Sequence, residues 1–503
     1  MTRSHWAWGP EPDASGLREI ARLFTEATGL GEPTAWEPPA LFSPALLPAP
    51  LIPVPPLPCC TDDPYERAVR TYGQAYRDLI RAYRGDFANA PDLVALPRDE
   101  DEVTQVLEWA AAQGVPVVPR GGGTSVVGGV EARFDGPSLC LDLSRMNRVL
   151  EVDVVSRAAL VEAGASGPAV NDGLPDGLQL RFFPQSYEFS TVGGWIATRA
   201  GGHFATFHTH IDDLVESVRA ISPAGVWESR RLPGSGAGPS PDRWLLGSEG
   251  ALGVITRAWL RVHERPTHKV SVPVRFAEWP AAVAAVHDLA QSGLYPSNCR
   301  LLDAREAALT SGGDGRHAVL IVGFESADHP VDAWVSRALE IVGAHGGVAG
   351  ESRQDQAWKG SFTRMPYVRN AYPGMGVLAE TVETAVTWDR FPALHEAVMA
   401  AMAEEAGTAT CRLAYAYPDG PAPYYTILAP AVKGAEVEQW DGLKQRVSDV
   451  VLRMGGTITH HHAVGRDHRP YYDRQRPDPF ALALRAAKAA LDPGGILNPG
   501  VLI

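Results

Sequence analysis

Apolar residues recur at helical spacing through DEDEVTQVLEWAAAQG, which ends at Gly114, and the VPVVPR that follows is a short run of strand character. Before this pair, DLVALP, Asp92 to Pro97, opens an α/β pattern, and a helical stretch is expected around Tyr65 to Tyr83. Beyond it, SLCLDLS, VLEVDVV and RAALVEAGA are β-rich runs separated by turn residues, continuing to RAWLRVH near His263. A second unit begins near Thr267, where KVSVPVRF, a helix around Trp279 to Gln291 and AVLIVGFE predict α+β packing. From Glu37 to Pro58 the chain is dense in proline but carries Leu, Ile, Val and Phe, so it reads as a strap lying on a domain surface. No solenoid-type repeat is present.

The expected organisation is an N-terminal extension with its proline strap over residues 1–89 and a cofactor-binding unit over 90–266. A substrate or cap unit over 267–454 follows, and a C-terminal segment, 455–503, completes the site. The 503-residue length accommodates several cores, and 45% hydrophobic with 21% charged residues is ordinary globular composition.

Charge narrows the function. With 45 basic and 59 acidic side chains the net charge is −14, which leaves no basic stripe for nucleic acid. The five cysteines, Cys59, Cys60, Cys140, Cys299 and Cys411, lack metal-finger spacing and are odd in number, so buried thiols in a reducing cytoplasm are expected. MTRSHWAWGP has no apolar signal core and no uncharged run approaches about 20 residues, so a cytoplasmic protein is expected, with peripheral membrane contact left open.

PRGGGTSVVGG, Pro119 to Gly129, follows a strand and sets three glycines before two hydroxyl residues. Glycine lets main-chain N–H groups approach an anion, so the loop suits a pyrophosphate as well as a plain tight turn. No GK[ST] follows it and it lacks the G-x-G-x-x-G spacing, so it is neither a nucleotide P-loop nor a dinucleotide fingerprint. QSYEFSTVGGWIATRAGG, Gln185 to Gly202, and GSEGALGVIT, Gly247 to Thr256, add two more small-residue segments suited to a large planar cofactor.

These three segments together resemble the FAD-binding domain of the vanillyl-alcohol-oxidase, or PCMH, type, and ALDPGGILNPGVLI resembles the terminal signature of the same superfamily. The implied fold is α+β, a PCMH-type FAD-binding domain plus an α+β cap. The implied cofactor contacts in the first loop are Pro119, Arg120, Gly121, Gly122, Gly123, Thr124 and Ser125. The second segment contributes Gln185, Ser186, Tyr187, Glu188, Phe189, Ser190 and Thr191, then Thr198, Arg199, Ala200 and Gly201. Glu249, Gly250, Ala251, Leu252, Gly253, Val254 and Ile255 come from the third. Some members tether FAD through a histidine near the first loop; Pro119 to Gly129 holds none, so non-covalent FAD is expected.

Within that superfamily YPDGPAPYY, Tyr417 to Tyr425, and HHHAVG, His460 to Gly465, resemble the alkylglycerone-phosphate synthase family. HWAWG, SNCRLLD, PYVRN and ETVETAVTWDR support the same resemblance, whereas the GDGN-x-H and E-H-G segments of hydroxyacid enzymes are absent. The resemblance implies Tyr424 as catalytic acid/base, Arg300 as an essential arginine and Arg369 as a substrate-phosphate ligand. His460, His461 and His462 are implied as an activity-determining loop, with His461 and His462 near the phosphate and Tyr424. The implied reaction exchanges the acyl group of acyl-dihydroxyacetone phosphate for a fatty alcohol, with the flavin not consumed as an oxidant.

Alternatives stay open at this point. Tyr425 competes with Tyr424 as the pocket residue, and Arg300 and Arg369 also suit surface ion pairs or a carboxylate substrate, which keeps an FAD-linked oxidase or dehydrogenase of a 2-hydroxy acid or small alcohol in play. A catalytically inactive flavin- or lipid-binding protein is the third reading. The chain departs from the family at Ala463, Arg466 and Tyr415, and in HFATFHTH, which contains His203, His208 and His210. If extended, that segment puts His208 and His210 on one face, as metal ligands or flavin neighbours or simply in a hydrogen-bonded loop. An extended THHHAVGRDH puts only His460 and His462 on one side, so no metal is expected. Expected partners are a lipid or small phosphorylated substrate and a second copy of the chain, without nucleic acid.

Overall fold

The computed structural model describes residues 3–350 and 364–503. Asp99 accepts the Glu102 N–H at 2.9 Å to start the helix Glu100–Gln113, and Gly114, at φ 66°, ends it, as the sequence predicts. The helix covers a four-stranded sheet ordered Cys60–Thr61, Leu93–Ala95, Leu139–Asp142, Val117–Arg120, in which the last three strands are parallel. Beside it stands an antiparallel five-stranded sheet in the order Val149–Asp153, Ala158–Glu162, Val254–Arg261, Val215–Ser222, Gly225–Glu228. These two sheets share one apolar core.

A seven-stranded antiparallel sheet forms the second unit, ordered Val348–Ala349, His268–Phe276, Ala318–Ser326, Asn298–Leu302, Thr408–Ala416, Pro421–Pro430, Val377–Glu383. Helices Trp279–Gln291, Phe391–Met402 and Glu436–Arg453 bury Val286, Leu394 and Trp440 in its core.

Both chain ends are worked into these cores. Trp6, Leu17 and the aromatic residues Tyr72 to Tyr83 pack with the seven-stranded unit. At the other end the segment around Leu497 pairs in parallel with Val117; Val117 donates to the Ile496 carbonyl and Asn498 donates to the Val117 carbonyl, each at 2.8 Å. The proline segment lies on the surface as expected. It sets Phe42, Leu46 and Leu47 on one core and Ile52 and Leu57 on the other, with Leu41 exposed.

The single helix expected around Tyr65 to Tyr83 is two, Pro64–Val69 and Tyr76–Tyr83. Between them Gln74 donates its N–H to the Ser125 carbonyl at 2.6 Å, and a β-carbon on Gly73 would stand 2.3 Å from that oxygen. The helix breaks so that its main chain can meet the glycine loop. Among the described residues no helix is long and apolar enough to cross a membrane.

Candidate active site

The glycine loop, the helix Val192–Thr198 and the turn at Glu249–Gly250 meet the face of the seven-stranded sheet around one cavity of about 800 Å³. Its polar part is lined by Ser190, Thr191, Arg300, Arg412, Tyr424, His461 and His462. At another part Ile20, Leu23 and Phe24 of the helix Ala14–Thr28, with Leu309 and Leu428, make the wall apolar. An apolar volume of this size with a few convergent polar groups is the usual form of a small-molecule site.

Close packing explains the three glycines. A β-carbon on Gly121 would sit 1.9 Å from Thr191 Oγ1, and one on Gly122 would sit 1.9 Å from the Phe189 carbonyl oxygen. Gly123 takes φ +64°. The loop is thus pressed against Phe189–Thr191, and its flank at Thr124 and Ser125 opens on the cavity. Thr191 Oγ1 and Asn498 Oδ1 are buried without a protein partner, and both residues line the cavity. Orphaned polar atoms beside a glycine cradle fit a large polar cofactor.

Most of the expected cofactor contacts do line this cavity: Pro119, Gly121 to Ser125, Gln185, Ser186, Ser190, Thr191, Thr198, Ala200, Gly201, Glu249, Gly250 and Gly253 to Ile255. Six expected contacts do not. Tyr187 lies against Gly167 and accepts from Asn171 Nδ2 at 2.6 Å. Glu188 accepts from the Tyr367 hydroxyl at 2.5 Å, and Phe189 packs edge-on to Trp8. Arg199, at φ 52°, pairs with Asp212 at 2.7 Å, while Ala251 and Leu252 are core. The physical reason is that each of these side chains finds its partner away from the cavity, in Asn171, Tyr367, Trp8, Asp212 or the apolar core.

Arg120 reaches the cavity wall, but its guanidinium is buried beneath the loop, where it donates to the Tyr72 carbonyl at 3.0 Å and the Val69 carbonyl at 3.1 Å. Arg3 joins it by donating to the Gly122 carbonyl, and Arg70 pairs with Asp142 at 2.6 Å close by. Burial, then the charge of Arg120, lowers the Arg3 pKa to about 10, so both remain cationic at neutral pH. Positive charge under the loop suits an anion above it. Arg3 and Arg70 carry no sequence motif that announces this placement.

Strand register builds the reactive face. Arg412 pairs with Tyr424, and Tyr424 with Glu383, so the three form one row across adjacent strands. The Arg412 guanidinium stands 3.8 Å from the Tyr424 ring centroid and donates to Glu306 at 2.7 Å. A second row, Thr410, Thr426 and Thr381, runs parallel to it along the cavity wall. Tyr425 takes the opposite face, fully buried and stacked on His395, which settles in favour of Tyr424 which neighbour lines the cavity.

Arg300 is buried at the cavity and contacts His203, with Nη1 3.2 Å from its Nδ1 and Nη2 donating to its carbonyl at 3.3 Å. It is therefore not a surface ion pair. Burial and then the charge of Arg412 bring its pKa down to about 10. Arg369 also lines the cavity, but beside the Gln74 carbonyl, to which it donates at 2.9 Å.

The histidine run is not extended. Its main chain wraps around the Glu383 carboxylate, which accepts the N–H groups of His460 at 2.5 Å, His461 at 3.2 Å and His462 at 2.9 Å, and the Thr459 hydroxyl at 2.5 Å. The loop then turns through Ala463 at φ 75° and Gly465 at φ 55°, where Glu249 accepts the Val464 and Gly465 N–H groups at 2.8 Å each. Two buried carboxylates, one from each unit, hold its two ends. The expected pairing of His460 with His462 on one side is overturned by this curvature. His461 and His462 face the cavity, with ring centroids 5.9 and 5.5 Å from that of Tyr424, while His460 turns to the Tyr417 hydroxyl at 2.8 Å.

Nor do His208 and His210 share a face. His208 has φ 54°, which ends any extended run there; its ring meets His263, and that of His210 meets His460 at 4.5 Å between centroids. Ligating atoms of Glu383, His460 and His461 lie within 4.8 Å of one another, but the Glu383 oxygens already accept four donors, so the group reads as a hydrogen-bonded cluster. Burial drives the His460 and His462 imidazoles well below their ordinary pKa and keeps them neutral. Burial likewise opposes charge on Glu383, but its contacts with the histidine run, that of His461 first, outweigh it and hold its carboxyl well below the usual range. At Glu249 burial outweighs the two N–H groups of Gly465 and Val464 that favour the carboxylate, and pushes it up to about 7.

Glu383, Arg412, Glu306 and Asn498 were assigned no role from sequence. Glu383 and Asn498 do lie inside quoted segments, ETVETAVTWDR and ILNPGVLI, but only strand register and chain closure bring them to the site.

Residues 91–229 match the FAD binding domain family, and residues 265–502 match the family of FAD linked oxidases, C-terminal domain. The chain is 29% identical over 479 residues to the alkyldihydroxyacetonephosphate synthase of Dictyostelium discoideum, covering 88% of this chain and 78% of that one. It is 28% identical over 426 residues to the mitochondrial D-lactate dehydrogenase [cytochrome] of Arabidopsis thaliana, covering 82% and 74%. In fold it is similar to a solved alkyldihydroxyacetonephosphate synthase, with a TM-score of 0.81 at 24% identity over 99% of this chain and 98% of that one. p-Cresol methylhydroxylase gives 0.71 at 15% identity over 88% and 93%. The glycine loop lies within the matched FAD binding domain, and the chain belongs to the FAD-linked oxidase family.

Proposed function

We propose that this protein is an alkyldihydroxyacetonephosphate-synthase-like transferase that replaces the acyl group of acyl-dihydroxyacetone phosphate by a fatty alcohol. The observation that carries the reading is the cavity itself. It joins a cationic and imidazole-lined part, Arg300, Arg412, His461 and His462, to the apolar wall of Ile20, Leu23 and Phe24, as a phosphorylated lipid requires. The similarity to alkyldihydroxyacetonephosphate synthases over most of the chain supports it.

In this exchange the ester C–O bond at the glycerone carbon breaks, a fatty acid leaves, and the alcohol oxygen forms the ether bond while losing its proton. No net electrons move. FAD would be held by the glycine loop, Ser190, Thr191 and Asn498 without a covalent link, and would supply an electron-accepting ring system. Tyr424 and His461 transfer the protons, Arg300 and Arg412 neutralise the developing carboxylate, and Arg369 takes the substrate phosphate.

The test supplies purified holoenzyme with acyl-dihydroxyacetone phosphate and a long-chain alcohol and looks for the ether lipid. A second reading, an FAD-linked dehydrogenase of a 2-hydroxy acid, is favoured by the arginines beside a neutral histidine and by the similarity to D-lactate dehydrogenase. Bleaching of the flavin by a 2-hydroxy acid selects that reading instead.

A further inference from the structure

The structure assigns Glu383 as the positioning carboxylate of the site: it fixes the histidine loop and sets the tautomer of His461, so that His461 Nε2 is left as the proton acceptor facing the cavity. The assignment deepens the proposed function, because it names which atom takes the alcohol proton.

Glu383 ends the strand Val377–Glu383 and pairs across the sheet with Tyr424. Its two oxygens are filled by three main-chain N–H groups and one hydroxyl, so the side chain cannot turn without releasing the loop. The His461 Nδ1 atom lies 3.4 Å from Glu383 Oε2 and 3.1 Å from His460 Nδ1. With the carboxylate's four sites taken, His460 Nδ1 is the acceptor facing that nitrogen once it is unprotonated, and Glu383 acts by holding the two rings in this contact.

The neighbours of His460 make it so. Tyr417 donates its hydroxyl proton to Thr209 Oγ1 at 3.0 Å, which leaves the phenol oxygen to accept from His460 Nε2 at 2.8 Å. His460 is then the Nε2–H form with a bare Nδ1, His461 must carry its proton on Nδ1, and its Nε2 is free to accept. A base oriented by a carboxylate behind it is the arrangement that activates a hydroxyl nucleophile in hydrolases, here built without a serine. The other titratable groups facing this pair are His462 on the loop, His210 from the 203–210 segment, Tyr415 and Tyr424 with Arg412 on the sheet, and Lys444 from the helix Glu436–Arg453.

The experiment is nitrogen NMR of the FAD-loaded protein with labelled histidine, with the His461 signals assigned by their loss in His461→Asn. The expected result is a neutral His461 with Nδ1 protonated and Nε2 bare, shifting toward the Nε2–H form in Glu383→Gln. An Nε2–H tautomer in the unsubstituted protein overturns the assignment, and that reading needs neither a folded variant nor a substrate. Where ether formation is seen, kcat in Glu383→Gln falls by about tenfold or more with little change in KM, whereas an unmoved kcat also overturns it. Absence of ether product in the unsubstituted enzyme rejects the transferase reading and leaves the tautomer measurement to judge Glu383 alone.

Discussion

Arg412 and Tyr424 are cross-strand partners whose contact is face-on, with the guanidinium carbon 3.8 Å from the ring centroid. Glu306 holds the guanidinium at 2.7 Å, so the ring is pinned at the cavity wall. A desolvated cation over an aromatic ring is worth about 2 kcal/mol. Arg412→Leu removes it and the fixed ring position together, and should lower kcat by about 100-fold with a smaller change in KM, measured by steady-state turnover. Tyr424→Phe keeps the stack but loses the hydroxyl, and turnover should fall by about 100-fold or more. Full activity in Tyr424→Phe removes that residue from the chemistry.

Glu249 makes stability depend on pH in a defined direction. Its folded pKa of about 7 lies above the ordinary glutamate value of about 4.3, so the folded protein holds this proton more tightly than the unfolded chain. The contribution is fully present below about pH 4.3 and is lost as pH rises through 7, for a total of about 4 kcal/mol. Glu249→Gln should flatten that part of the curve. Thermal midpoints of both proteins across this window check it, and parallel curves would remove Glu249 as the cause.

The glycine loop has no room for a side chain. Gly122→Ala forces a methyl group against the Phe189 carbonyl, 1.9 Å away, and the loop must lift from its support. FAD binding should weaken by about tenfold or more, a loss of about 1.4 kcal/mol, read from flavin absorbance retained through gel filtration. The same preparation tests the non-covalent link: acid precipitation should release all the flavin.

The apolar wall should sense chain length. Phe24 lies on the helix Ala14–Thr28, far in sequence from every motif, and lines the cavity with Ile20 and Leu23. Phe24→Ala should raise KM for a long-chain alcohol by about tenfold, following the roughly 1.5 to 3 kcal/mol of a buried apolar side chain, and should leave a short-chain alcohol nearly unchanged. Equal effects on both would place the chain elsewhere.

What the sequence disclosed, and what it withheld, divides by the range of the forces involved. Local rules were enough for the helix Glu100–Gln113, closed by Asp99 and Gly114, and for the strand and glycine loop after it. They failed between Arg70 and Ala75, because the partner of that break, Ser125, is remote. The histidine run was visible, but its curvature was not, since it is imposed by Glu383 and Glu249, which approach from two different units. Arg120 was legible as part of a phosphate loop, yet its charge serves from beneath, because the carbonyls of Val69 and Tyr72 draw it inward.

The most direct test is stoichiometric. FAD-loaded enzyme receives acyl-dihydroxyacetone phosphate and a long-chain alcohol, with an electron-accepting dye present. Transferase chemistry predicts one ether lipid formed for each fatty acid released, with the dye left oxidised. Dye reduction without ether, driven by a 2-hydroxy acid in place of the lipid, would contradict it.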